Sequence, residues 1–192
     1  LLNQKLFNRI KEVWRKRQDF ELSKEDNRLW KETYEGFVGN GALLQGEQRE
    51  QLKAYSEKLS KLSLSFGENV LKETQNFEYH TTHLEELDGL PEGTVEAAKS
   101  LAKERNKEGY VFGLDMPTYM SVMKYSNSSN FREHFYRAYS TRAARDNDFN
   151  NEENIKEIVN TRLRKAQLLG FNSHAELTLQ RRMAKTPDIV VS

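Results

Sequence analysis

Gln48-Arg49-Glu50-Gln51-Leu52-Lys53-Ala54-Tyr55-Ser56-Glu57-Lys58-Leu59-Ser60-Lys61-Leu62-Ser63-Leu64-Ser65-Phe66-Gly67-Glu68-Asn69-Val70-Leu71-Lys72-Glu73-Thr74-Gln75 is the stretch that decides the fold. Leu52, Tyr55, Leu59, Leu62, Phe66 and Val70 recur at steps of three and four, the spacing that lines side chains along one face of an α-helix. At 1.5 Å per residue such a helix reaches roughly 40 Å, with Gly67 a tolerated weak point inside it. The apolar seam is too short for a coiled coil and predicts packing inside a helical domain.

The helical period continues on both sides. Upstream, Leu6, Ile10, Val13 and Trp14 form one stripe. Ser23-x-x-Asp26 resembles a capping box, ahead of Trp30, Thr33, Tyr34 and Phe37; Gly39-Asn40-Gly41 ends that helix. Downstream the period changes. Phe77–Thr82 alternates and is rich in aromatic and β-branched residues, so it reads as a strand, as does Tyr110–Leu114. Between them Thr94 is read as the cap of a helix carrying Val95, Ala98, Leu101 and Ala102. After Pro117 come a short helix over Thr118–Tyr125, one with Phe131, Phe135, Ala138 and Tyr139, and one with Ile155, Ile158, Val159, Leu163 and Ala166. Ser173-His174-Ala175-Glu176 caps a further helix through Met183. Thr186-Pro187-Asp188 before Ile189-Val190-Val191 reads as the first turn of a helix expected to continue past Ser192. The expected class is mainly α, a multi-helix domain with a small two-stranded antiparallel β element. The expected regions are 1–75, 76–116 and 117–192.

Composition narrows the function. The 192 residues hold 30 Lys and Arg against 29 Asp and Glu, a net +1, without the basic excess of a nucleic-acid binder. Lys11–Arg17 and Arg181-Arg182 are read as solvated helix faces. No run approaches the roughly 18 apolar residues of a membrane span, and Leu1-Leu2-Asn3-Gln4-Lys5 lacks the pattern of a secretion signal. With no cysteine there is no disulfide, thiolate zinc or cysteine nucleophile. A reducing, cytoplasmic setting is expected.

No motif carries chemistry. A helical zinc peptidase needs His-Glu-x-x-His, since i and i+4 put two imidazoles on one face. His80, His83, His134 and His174 include no such pair. His80-x-x-His83 lies on the predicted strand, where residues three apart face opposite ways. Glu85 and Glu86 nearby do not change that. Glu176 is read as the capping partner of Ser173. Nucleophile-elbow and phosphate-loop glycine patterns are absent from the sequence. Met116, Met120, Met123 and Tyr125 suggest either a ligand groove or core packing, and core packing is the expectation. No residue is therefore assigned a catalytic, substrate-binding or metal-ligating role.

Several stretches, taken in order, resemble the N-terminal half of the thimet oligopeptidase family of zinc metallopeptidases. Leu6–Lys11, Tyr34–Val38 with Gly41-Ala42, and Leu59–Leu71 are similar to its bacterial peptidyl-dipeptidase branch. Leu114–Tyr119 and Tyr136–Ala143 look more like oligopeptidase A, and Leu87–Glu92, Gln167–Phe171, His174–Glu176 and Met183-Ala184 complete the series. The resemblance implies a two-lobed helical parent in which one zinc activates water for the hydrolysis of short peptides. The zinc ligands belong to a portion outside these residues, so this piece is expected to bind no zinc. It is expected to form part of the channel wall that restricts substrate size and to face the catalytic lobe. Exposed apolar faces are expected to drive self-association. A stand-alone helical interaction module, docking through the Leu52–Val70 seam or the Trp14 and Trp30 faces, is the alternative; neither nucleic acid nor a membrane is an expected partner.

Overall fold

A computed structural model describes residues 3–192; Leu1 and Leu2, which open the stretch read for a secretion signal, lie outside them. Contacts divide the chain into two compact units, Leu1–Lys61 with Ile158–Ser192, and Leu62–Glu157. Helices dominate the described residues, and the single sheet has two strands.

In the first unit, α1 (Gln4–Arg15) and α2 (Lys24–Gly39) bury Phe7 and Ile10. Trp14 stacks on Tyr34 with ring centroids 4.8 Å apart, and Phe7 lies 5.8 Å from Phe37. The Ser23 cap forms as expected: its Oγ accepts the Asp26 N–H at 3.0 Å and its hydroxyl donates to Asp26 at 2.8 Å. Gly41 has φ +83°, and a Cβ there would press into Leu52 Cδ2. Glycine is required at that turn. The basic clusters are less solvated than expected, because long cationic side chains find local acceptors. Arg17 lies 4.4 Å over the Trp14 ring, and Arg181 donates to the Glu32 carbonyl at 2.6 Å. At the other end, α8 (His174–Leu179) stops four residues short of Met183, and α9 (Pro187–Val191) forms without a side-chain cap from Thr186.

The helix read first is α3 (Gly46–Asn76), which supplies residues to both units. Only Leu52 and Glu73 are buried along it. Likewise α7 (Glu152–Leu168) begins in the second unit and ends in the first.

The second unit holds the aromatic core. β1 (Tyr79–Thr81) pairs antiparallel with β2 (Tyr110–Phe112), Tyr79 opposite Phe112 and Thr81 opposite Tyr110. Both strands are shorter than expected: outside three pairs the backbones diverge into turns. α4 (Glu92–Glu104), α5 (Met116–Tyr125) and α6 (Ser129–Ser140) enclose Leu87, Ala98, Phe112, Leu114, Val122, Phe131, Phe135 and Ala138. Thr94 is not the cap of α4. Pro91 precedes the helix, and the Thr94 hydroxyl pairs with Ser121 Oγ at 2.7 Å.

One polar centre was invisible in the sequence. Glu73, 7% exposed, accepts the Ala143 N–H at 2.6 Å and the Asn147 amide. Asn151, 1% exposed, bonds Asn69 at 2.9 Å and the Phe66 carbonyl at 3.1 Å. Together they fix the α6–α7 connection, where Ala143 adopts φ +55°.

Truncating Phe131 to alanine removes the ring at the middle of the aromatic core and should cost about 3–5 kcal/mol in denaturant unfolding. Glu73→Ala leaves a buried N–H unpaired and should cost on the order of 2–3 kcal/mol, with Glu73→Gln, which keeps one acceptor, losing less. Equal losses for the two Glu73 variants would contradict the geometry.

Candidate functional site

Each histidine is engaged in local structure. His80, exposed on β1, places Nε2 2.6 Å from the Glu108 carbonyl, so that nitrogen carries the proton and donates. His83 does not lie on the strand. It precedes a 3-10 turn over Leu84–Leu87, with its backbone N–H donating to Thr81 Oγ1 at 3.0 Å. The expected divergence of His80 and His83 therefore rests on a turn and not on strand alternation. His134 packs against Tyr79 and Phe77 with ring centroids 4.8 and 5.9 Å away. His174 opens α8, its Nε2 3.4 Å from Thr178 Oγ1. Partial burial, with the Arg162 and Lys165 cations nearby, holds its pKa below the usual 6.5.

The carboxylates singled out by sequence are also structural. Glu176 reaches past Ser173 to the Asn172 N–H at 2.9 Å, while Ser173 Oγ accepts the Glu176 N–H at 3.1 Å. Glu86 accepts the Tyr79 hydroxyl at 2.7 Å, and its second oxygen is buried without a partner. Burial and the Glu86 carboxylate push the Tyr79 phenol up to about 12. The expected core packing of the methionines holds only partly, because Met116 and Met120 are about half exposed, at 55% and 51%. Met116 sulfur instead accepts from the Tyr139 hydroxyl at 3.5 Å. Tyr139 stacks on Tyr119 at 4.0 Å and carries the Arg142 guanidinium 3.5 Å above its other face.

Zinc, which the family resemblance implies, requires at least three converging protein ligands. Among the described residues no group of three or more His, Cys, Asp or Glu could hold a metal ion. His80 already donates the proton of one nitrogen to a carbonyl, and His134 is held against aromatic rings. These residues do not fit a zinc site, and no hydrolytic step is assigned to them.

Fold and side chains thus define a mainly α scaffold whose polar groups pack and cap. The sequence profile of Peptidase family M3 matches residues 122–192. Oligopeptidase A of Haemophilus influenzae is 36% identical over 159 residues, 81% of this chain and 23% of that protein. Organellar oligopeptidase A, chloroplastic/mitochondrial, of Arabidopsis thaliana is 33% identical over 186 residues, 93% of this chain and 23% of that protein. Dipeptidyl carboxypeptidase of Escherichia coli is 26% identical over 192 residues, 100% of this chain and 28% of that protein. Over most of its length, then, the chain belongs to the thimet oligopeptidase family, peptidase family M3. It spans about a quarter of the length of the curated relatives it matches. No helix among the described residues is long and apolar enough to cross a membrane.

Tyr79→Phe strips Glu86 of its only hydrogen-bond donor and should destabilise by about 1–3 kcal/mol. Adding Glu86→Leu removes the stranded carboxylate and should restore most of the loss; no recovery would argue that the pair is solvated. For His174, a base with a folded pKa below its unfolded one binds fewer protons when folded. Stability therefore rises with pH across that window and falls on acidification through and below about 6.5. The His174 imidazole should titrate by NMR with a midpoint below 6.5, and His174→Gln should lose less stability than the parent between about pH 7.5 and 5.5.

Proposed function

We propose that these residues form a non-catalytic, helical part of a longer zinc oligopeptidase, belonging to the lobe that faces the metal-bearing one. There they build part of the wall of a channel that admits short peptides and excludes folded proteins. The observation that carries this reading is 36% identity to oligopeptidase A over 81% of the chain, joined to a set of histidines with no pair one helical turn apart. The metal, its ligands and the glutamate that activates water come from other parts of the parent polypeptide. A reducing intracellular compartment suits a chain with no cysteine.

Exposed apolar side chains support a covered face in the parent. On α7, Ile155, Val159 and Leu163 follow one another at i, i+4 and i+8 and are 48%, 58% and 39% exposed. Such a stripe normally meets another element. In isolation it favours self-association.

Purified by itself, the 192-residue chain should retain no stoichiometric zinc after dialysis and should leave fluorogenic oligopeptides uncut. About one equivalent of zinc by elemental analysis, lost on changing His80 and His83, would overturn the proposal. In sedimentation, Val159→Lys should shift the chain toward monomer; a parent chain that is already monomeric at high concentration would refute the exposed-face argument.

A further inference from the structure

We infer that the cleft between α4 and the β2–α5 segment holds an internal apolar residue of an extended oligopeptide, its side chain inward and its backbone N–H on Asp115. The inference deepens the peptide-handling reading above and takes its ligand class from it. The cleft encloses about 300 Å3, at the low end for ligand pockets, which suits one side chain rather than a whole small molecule. Its floor includes Val111 and Phe112, each 1% exposed and therefore fixed by the core.

The α4 wall is made of small residues, among them Gly93 and Ala97. Glycine is unfavourable inside a helix, and Gly93 has no left-handed backbone to excuse it. A Cβ built there would meet nothing within 4 Å. The missing side chain leaves space, and that space is the cleft.

Asp115 provides the polar contact. Its Oδ1 caps α5 by accepting the Thr118 N–H at 3.0 Å, and Oδ2 takes no donor among the described residues. Charge then selects the ligand. Asp115 repels a free carboxylate. The first turns of α4 and α5 both line the cleft, and their positive dipole ends disfavour a free ammonium. A peptide N–H satisfies the carboxylate oxygen and brings no net charge to the helix ends. β2 has a partner strand on one side only, and extended peptides characteristically bind beside such strands.

The test is an NMR titration of the 15N-labelled chain with N-acetyl-leucine N-methylamide. Leucinamide, N-acetyl-leucine and N-acetylglycine N-methylamide serve as cationic, anionic and side-chain-free controls. The capped leucine should shift the amides of Gly93, Thr94, Val111, Gly113 and Thr118. It should bind several-fold tighter than either charged control, and the glycine analogue should give no saturable shift. Gly93→Leu fills the cleft and should abolish the response with an unchanged melting midpoint; Ala97→Met does so from the next turn if the first variant does not fold. Shifts confined to other residues, undiminished binding by a folded cleft-filling variant, or preference for a charged control would overturn the assignment. Peptide hydrolysis by the chain would sink the non-catalytic reading while leaving the cleft intact, whereas an absence of shifts sinks the cleft and leaves that reading standing.

Discussion

Edge-to-face contact among four aromatic rings holds the second unit together. Phe131 and Phe135 lie 4.9 Å apart, Phe112 is 5.3 Å from Phe131, and Tyr79 is 5.0 Å from the same ring. A ladder of three residue pairs would not persist in water alone. It does so here because both strands send an aromatic side chain into the α6 cluster, so ring burial supplies what hydrogen bonds cannot. Other features follow from that anchoring. Val111 and Phe112 become a rigid floor, α4 packs against β2, and the Tyr79 hydroxyl is fixed where Glu86 accepts it.

Much of this was legible in the residues because helical periodicity depends on local spacing alone. The Leu52–Val70 seam, the Ser23 cap and the turn at Gly41 needed no tertiary information. Thr94 shows where such reading fails. Its hydroxyl is a plausible cap by type, but a partner from α5, Ser121, takes it, and no local rule anticipates a contact between residues 27 apart in the chain. Glu73 is harder still. In sequence it is one carboxylate among many on an exposed helix; only the α6–α7 connection folding back onto it makes it a buried acceptor. Met116 and Met120 err the other way, since an apolar residue type does not say which face of a short helix has a partner.

The absence of a catalytic motif was readable for the same reason that the seam was. Two imidazoles must lie one turn apart to share an ion, and that is a statement about spacing. The structure adds what each histidine does instead: His80 holds a hairpin carbonyl, His134 covers aromatic rings, and His174 begins a helix beside two cations. Polar residues committed to such local tasks are not preorganised for chemistry, because moving them would cost the contacts they now make.

A wall that selects substrates by length needs no nucleophile. It needs elements that do not yield and surfaces that do not bind indiscriminately. A 31-residue helix such as α3 provides the first, being continuous over roughly 46 Å at 1.5 Å per residue. Its largely polar exposed surface provides the second. Against that background an uncovered glycine in α4 stands out, because rigidity alone would favour alanine there. The cleft beside Gly93 is the one place described here where the scaffold gives up helix stability for open space next to a carboxylate oxygen, and a peptide backbone is the neutral group that matches both.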